Sequence, residues 1–211
     1  TQGLKTQPSW LFNFFKKPIS IRPNLQVRMP SFTMLSDSDW NGIIFAFQDM
    51  ENHNLSFESA HSFDMNTSQF KSGKKLHEFG ACNNCHFYGG NFPTQGPQTW
   101  APNLALSKER LRPDWITKWL DDPSVIMPGT KMPAPYIPNS LALSIDNALE
   151  TWGKDIIDLG GDRHKMLEGL RDYIFTIEGD IDIDDIIKKY FKENGYDFDS
   201  DEEEEFEDDE W

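Results

Sequence analysis

The stretch FGACNNCHFYGG, residues 79–90, contains both cysteines of the 211-residue chain, followed at once by a histidine. Three common uses of a cysteine pair do not suit it. A zinc ribbon needs four ligands, usually from two such pairs, and a thioredoxin-like dithiol needs alternating strand and helix patterns around it. A disulfide between Cys82 and Cys85 would close too small a loop to stabilise the fold much. The histidine after the second cysteine is therefore the informative residue.

The spacing Cys82-x-x-Cys85-His86 is that of covalent haem attachment, in which each thiol forms a thioether bond with a haem vinyl group. His86 is then delivered beneath the iron as one axial ligand. We therefore expect one covalent haem c, held by these three residues. The iron needs a second axial ligand on its other face, and a methionine thioether is the usual partner of histidine in electron-transfer cytochromes.

An internal repeat helps to identify that second ligand. The segment PSWLFNFFKKPISIRPNLQVRMP (8–30) aligns with PDWITKWLDDPSVIMPGTKMP (113–133), each read as a helix and a proline-rich loop that ends in Met-Pro. Met132 has a counterpart in Met29, whereas no methionine stands opposite Met127. Because a lone methionine is more often core filler than ligand, this match favours Met132, with Met127 as the alternative. Met29 would ligate iron only if a second haem were shared.

Helical patterns dominate the chain, and runs that alternate apolar and polar residues are nearly absent. The predicted fold class is all-α with long proline-rich loops. Composition and pattern divide the chain into four parts. These are an N-terminal helical segment with the first repeat (1–50), a polar linker (51–69), a domain with the cysteine pair (70–178) and an acidic tail (179–211).

Negative charge is concentrated at the C-terminal end of the chain. Residues 178–211 contain 17 acidic residues and three lysines, which account for −14 of the formal net charge of −15. The run DSDEEEEFEDDEW repels itself and buries little apolar surface, so we expect a partly disordered tail that could dock on a basic partner. The charge argues against nucleic acid as a partner. No stretch approaches the roughly 20 apolar residues of a transmembrane helix.

Residues 70–178 resemble a class I cytochrome c domain. The resemblance is carried by GKKLHEFGACNNCH, APNL, WITKWLDDPSVIMPGTKMP and the closing helix GLRDYIFTI. It implies the class I cytochrome c fold, with the Pro102 carbonyl accepting a hydrogen bond from His86 and so orienting it. It also implies that Trp115 or Trp119 contacts the haem, either by donating to a propionate or by packing against the haem face.

Two further expectations follow from the resemblance. A glycine of the first helix, Gly73 or Gly80, should pack against Tyr173 of the last helix. In addition, residues 8–30 are similar to the methionine-bearing half of a second cytochrome c domain, as in dihaem cytochromes attached to respiratory complexes. No cysteine pair precedes this half within the sequence.

The resemblance implies an electron carrier rather than an enzyme, because histidine and methionine ligation leaves no open coordination site. It implies redox-protein partners, as a subunit of a membrane-associated respiratory complex, in the periplasm or on the outer face of a bacterial cytoplasmic membrane. The alternative is a peroxidase-like haem enzyme or sensor in which the distal methionine is displaced. His77 and His164 are other conceivable ligands, but both are expected on polar helix faces.

Overall fold

The computed structural model describes residues 2–23, 25, 29–51 and 61–195. Within these ranges the chain is mostly helical, with isolated bridges but no strands, which confirms the all-α prediction. The helices are α1 (Gln2–Lys5), α2 (Pro8–Lys16), α3 (Asp37–Asp49), α4 (Ser68–Phe79), α5 (Ser107–Arg110), α6 (Pro113–Asp121), α7 (Pro123–Ile126), α8 (Ala148–Trp152), α9 (Lys154–Asp158), α10 (Arg163–Ile174) and α11 (Asp184–Glu193). No helix in the described ranges is long and apolar enough to cross a bilayer.

The crossing of α4 and α10 is the centre of the cysteine-bearing part of the chain. Gly73 faces Gly169 there, and a Cβ atom added to Gly73 would overlap the Gly169 carbonyl group. The two backbones therefore touch directly, which only residues without a side chain allow. Of the two glycines expected at this crossing, Gly73 is the one used, but its partner is Gly169 rather than Tyr173. Tyr173 instead packs on His77, with ring centroids 4.9 Å apart.

The main core surrounds this crossing and is lined by α4, α6 and α10. Apolar side chains spaced four residues apart on α6 and α10 point into it, as their helical period predicts. Each of them is at most 4% exposed, and they are Ile116, Leu120, Met166, Leu170 and Ile174. Their burial fixes α6 and the methionine loop that follows it against the rest of the domain.

A second core cluster holds the N-terminal helices together. Leu11 and Phe15 of α2 meet Trp40 and Ile44 of α3, and the rings of Phe15 and Trp40 stack at 4.8 Å. The cluster also carries Met29, which packs against it from the loop. The segment with the first repeat thus has an apolar core of its own.

The repeat seen in the sequence is also present in the structure. Both α2 and α6 begin with a proline in the first turn. Both then carry two aromatic residues one turn apart whose rings stack, Trp10 with Phe14 at 4.8 Å and Trp115 with Trp119 at 5.3 Å. Such pairs stabilise a helix surface because residues four apart lie on the same face.

Backbone hydrogen bonds join the N-terminal segment to the segment between α5 and α6. The Arg112 amide donates to the Lys5 carbonyl at 2.9 Å, and the Gln7 amide donates to the Arg110 carbonyl at 2.8 Å. Thr6 between them forms an isolated bridge with Leu111. The two parts of the chain therefore contact each other directly.

Parts of the predicted linker and of the predicted tail pack against the domain with the cysteine pair. His61 and Phe63 of the linker are packed, since His61 Nε2 lies 2.7 Å from Asp172 Oδ1 and Phe63 stacks on Phe70 at 5.6 Å. Residues 52–60 and 196–211, including the acidic run, lie outside the described residues.

The first part of the predicted tail is a packed helix, α11. Ile183, Ile187 and Phe191 are spaced four residues apart and are buried against Phe87 and Trp100. The helix itself contains three acidic residues and three lysines, so it is neutral, and the excess acid lies outside it. The net charge of the whole C-terminal segment is dominated by the acidic run, so it gave no sign of this amphipathic helix.

Candidate functional site

The cysteine motif forms a tight turn directly after α4. Ala81 has a φ of +46°, a left-handed conformation that costs a residue with a side chain about 1–2 kcal/mol. A short 3-10 turn follows at Cys82–Asn84. The amides of Cys85 and His86 both donate to the Cys82 carbonyl, at 3.2 and 2.9 Å. These bonds hold the whole motif in one compact turn, and the strain at Ala81 is stored where function is expected.

Neither cysteine takes part in a disulfide, and both side chains are half-buried. Burial raises the pKa of the Cys82 thiol to about 11. The thiol is therefore protonated at neutral pH.

His86 is held in one orientation by the chain that follows it. Its Nδ1 lies 2.7 Å from the Pro102 carbonyl oxygen, which is the hydrogen bond expected from the resemblance. Burial lowers the pKa of His86, so the imidazole is neutral and Nδ1–H is the donor. Nε2 is then left with its lone pair. A histidine fixed through Nδ1 in this way is the usual arrangement of a metal-binding imidazole.

The position of Pro102 is set by backbone pairing beside the motif. The Ala101 amide donates to the Cys85 carbonyl at 2.8 Å, and the Leu104 amide donates to the Phe87 carbonyl at 2.9 Å. These two bonds flank the pair formed by His86 and Pro102. The orientation of the imidazole is therefore built into the fold and does not depend on a bound ligand.

Met132, the predicted second ligand, is partly enclosed by the main core. The indole N–H of Trp119 donates to its sulfur at 2.9 Å, and its backbone amide donates to Thr130 Oγ1 at 3.3 Å. The alternative, Met127, is 38% exposed. The methionine favoured by the repeat is thus the one whose sulfur has a defined position.

The resemblance implied that Trp115 or Trp119 contacts the haem. In the structure, each of them contacts other side chains. The N–H of Trp119 is directed at Met132, so this residue contacts the predicted ligand itself. Trp115 stacks on Trp119, and the Lys5 ammonium lies 4.9 Å from the centroid of its ring. Contact of either ring with a haem, through a propionate or the haem face, stays a prediction.

A histidine and a tyrosine next to the motif were not predicted to interact. His77 is only 7% exposed, so the expectation of a polar helix face was wrong, whereas His164 is exposed as predicted. Burial lowers the pKa of His77 to about 4, and burial raises the pKa of Tyr88. The neutral tyrosine hydroxyl therefore donates to His77 Nε2, at 2.6 Å. The spacing of His77 from Gly73 and Phe70 on α4 was the signal for its burial.

The C-terminal segment also reaches the site. The Asn103 amide group donates to the carbonyls of Gly89 and Asp180, at 3.2 and 2.9 Å, and its oxygen accepts from the Gly89 amide. Gly89 meets Gly179 so closely that a Cβ atom on Gly89 would lie 2.9 Å from the Gly179 Cα. Through these contacts α11 is anchored on the loop that follows His86.

The side chains present fit a covalent haem c. Cys82 and Cys85 offer two unpaired thiols at the attachment spacing, His86 offers a neutral nitrogen, and Met132 offers a thioether. Within the described ranges, no cluster of three or more His, Cys, Asp or Glu side chains could hold a bare metal ion. Comparison with protein-family models, with curated proteins and with solved structures finds no match to this chain. Its function must therefore be inferred from the residues of the site.

Proposed function

We propose that this protein is a c-type cytochrome that transfers single electrons, with one covalent haem ligated by His86 and Met132. One observation carries the proposal. His86, the residue directly after the Cys82-x-x-Cys85 pair, donates a hydrogen bond to the Pro102 carbonyl. The bound haem would supply a one-electron Fe(III)/Fe(II) couple. The resemblance to a class I cytochrome c domain supports the same function.

Each side chain of the site has a separate task in this proposal. The thiols of Cys82 and Cys85 form the two covalent bonds to the haem. Pro102 fixes the ring of His86 and makes its Nε2 a stronger donor. Tyr88 and Met132 pack against the same core cluster, so both ends of the site are supported by one apolar core.

The enclosure of Met132 favours transfer of electrons over chemistry on a bound substrate. The Trp119 N–H and the packing around it hold the thioether in place, and a peroxidase-like function would need this side chain to leave. A sixth ligand that stays bound also keeps the coordination sphere similar in both oxidation states. Electron transfer is therefore proposed rather than the peroxidase-like alternative.

The location and partners follow from the type of haem attachment. Proteins that resemble this one in their attachment motif are matured outside the cytoplasmic membrane. We accordingly propose the periplasm or the outer face of a bacterial cytoplasmic membrane, with redox proteins of a membrane respiratory complex as partners. The acidic residues of the C-terminal segment would suit a basic docking site on such a partner.

The haem content of the purified chain tests the proposal. The protein would be produced together with a c-type haem maturation system, and its mass and pyridine haemochrome spectrum would be measured. We expect one covalent haem per chain and none in a variant with both Cys82→Ala and Cys85→Ala. Absence of haem from the unsubstituted chain would overturn the proposal, and two haems would overturn its single-haem form.

The second axial ligand needs its own measurement. The oxidised protein should show the near-infrared absorption band of a methionine bound to iron. We expect Met132→Ala to abolish this band and the matched variant Met127→Ala to retain it. If the band survives Met132→Ala, or is lost only in Met127→Ala, the ligand assignment is wrong.

A further inference from the structure

A cavity of about 260 Å³ lies where the N-terminal helices meet α5. Its walls come from α1, α2, the following loop and the end of α5. One part of the wall is basic and the other part is apolar. The apolar part consists of Phe14, Ile19, Ile21, Leu25 and Met29. Neither His86 nor Met132 reaches this cavity, so it is separate from the proposed haem site.

The basic part of the wall consists of Lys5, Arg22 and Arg110, and no carboxylate is among the described residues that line the cavity. Within the described residues, none of the three forms an ion pair. A group of unpaired cations beside an apolar surface is unfavourable unless something of opposite charge joins it.

Arg110 is the most unusual of the three cations. Its side chain is buried, with 9% of its surface exposed, and its Nε–H group has no hydrogen-bond partner. Its guanidinium lies 5.4 Å from the ring centroid of Trp10, which compensates only part of the lost hydration. A buried arginine with an unused N–H group is suited to an anionic partner, because buried polar groups are normally hydrogen-bonded.

The charges in the cavity wall repel one another. Burial and the neighbouring cations Arg110 and Arg22 lower the pKa of Lys5 to about 8. Burial and the charge of Arg22 lower the pKa of Arg110 to about 10. A bound anion would offset this repulsion and raise the pKa of both groups.

We propose that this cavity binds a small amphipathic anion, namely a carboxylate on a short apolar body. The guanidinium of Arg110 would bind the carboxylate with Lys5 beside it, since a planar guanidinium matches carboxylate geometry. Arg22 would close the exposed rim. The apolar wall would cover the hydrocarbon part, and the volume is slightly below the usual range of ligand cavities, about 300–1,000 Å³, which suits a short chain. This binding function goes beyond electron transfer.

Thermal unfolding of the haem-loaded protein with octanoate tests this inference. A ligand that binds only the folded state raises its melting temperature with the logarithm of concentration. We expect a saturable increase with octanoate, no increase with octylamine, which has the same chain and the opposite charge, and a smaller increase with inorganic phosphate. No increase with octanoate, an equal increase with octylamine, or an equal increase with phosphate would each overturn the proposal.

Variants of the cavity wall locate the binding. We expect Arg110→Met to weaken octanoate binding at least tenfold in calorimetric titration, and Arg22→Gln to weaken it less because this residue is exposed at the rim. The matched control is Lys16→Gln, on the outer face of α2, where Lys16 pairs with Asp37. Should Arg110→Met fail to fold, Lys5→Met and Arg22→Gln are titrated instead, and we expect each of them to bind octanoate more weakly than the unsubstituted protein. Full binding by the wall variants, or equal loss in Lys16→Gln, would show that octanoate does not bind in this cavity.

Discussion

The indole N–H of Trp119 lies 2.9 Å from the sulfur of Met132. The first repeat has a phenylalanine, Phe14, at the position of Trp119, and a phenyl ring has no N–H to donate. Met29 therefore lacks the donor that its counterpart has, although both methionines pack against a core cluster. The two copies of the repeat share helices and aromatic stacks but differ at the sulfur atom, where ligation is proposed.

Replacing Trp119 with phenylalanine should lower the reduction potential of the proposed haem. Trp119→Phe keeps a ring to stack on Trp115 but removes the hydrogen bond to Met132, so the sulfur becomes a better electron donor. A stronger donor stabilises Fe(III), and we therefore expect a lower reduction potential in a redox titration. The matched control is Trp115→Phe, which leaves that hydrogen bond in place. An unchanged potential in Trp119→Phe would contradict a ligand role for Met132.

The contact between Gly73 and Gly169 predicts a large loss of stability on a very small substitution. Gly73→Ala would place a methyl group on the backbone of α10, and overpacking of this kind costs about 1–3 kcal/mol of unfolding free energy. Gly42→Ala on α3 is the matched control, because an added Cβ there meets nothing within 4 Å. It should stabilise the protein by about 0.5–1 kcal/mol. Chemical denaturation measures both, and similar effects at the two positions would refute the close crossing.

Docking of α11 can be tested through its buried phenylalanine. Phe191→Ala should leave a cavity against Trp100 and Phe87, and truncation of a buried phenylalanine costs about 3–5 kcal/mol. We expect faster hydrogen exchange at the amides of α11 and at Gly89. Lys188→Ala, on the exposed face of the same helix, should leave exchange unchanged. Equal exchange in the two variants would mean that α11 does not stabilise the loop beside His86.

Much of the fold and of the site could be predicted from local patterns. Helical period identified α6 and α10, and the repeat identified the common plan of α2 and α6. The hydrogen bond of His86 to Pro102 could be expected because the resemblance rests on the short segments that contain both residues. These features depend on residues that are close together in sequence, or on helical periods and repeats that one sequence is enough to show.

Other features could not be predicted because they depend on contacts between distant segments. Gly169 was missed as the partner of Gly73, since one glycine in a helical pattern does not tell which backbone approaches it. Helix α11 was missed because the charge was counted over residues 178–211 as a whole, and the acidic run outweighed the neutral helix. The basic cavity was missed because Lys5 and Arg110 are far apart in sequence and meet only through the backbone bonds of the N-terminal segment.

The pKa of Lys5 predicts how stability and anion binding depend on pH. Burial, with the neighbouring cations Arg110 and Arg22, lowers this pKa from its ordinary value of 10.5 to about 8 in the folded chain. Below pH 8 the ammonium is charged in both states, and the folded state carries the full penalty for burying it. Between pH 8 and 10.5 the folded chain releases the proton while the unfolded chain keeps it, so stability rises with pH.

Denaturation of the haem-loaded protein between pH 7 and about 9.5 would measure this effect, which stays below the titration of Arg110 near pH 10. We expect Lys5→Met to remove the rise and Lys16→Met to retain it. Octanoate binding should weaken over the same range, because the carboxylate loses one of its cationic partners. A rise that persists in Lys5→Met would assign it to another group, and octanoate binding that stays constant through pH 8 would exclude Lys5 from contact with the carboxylate.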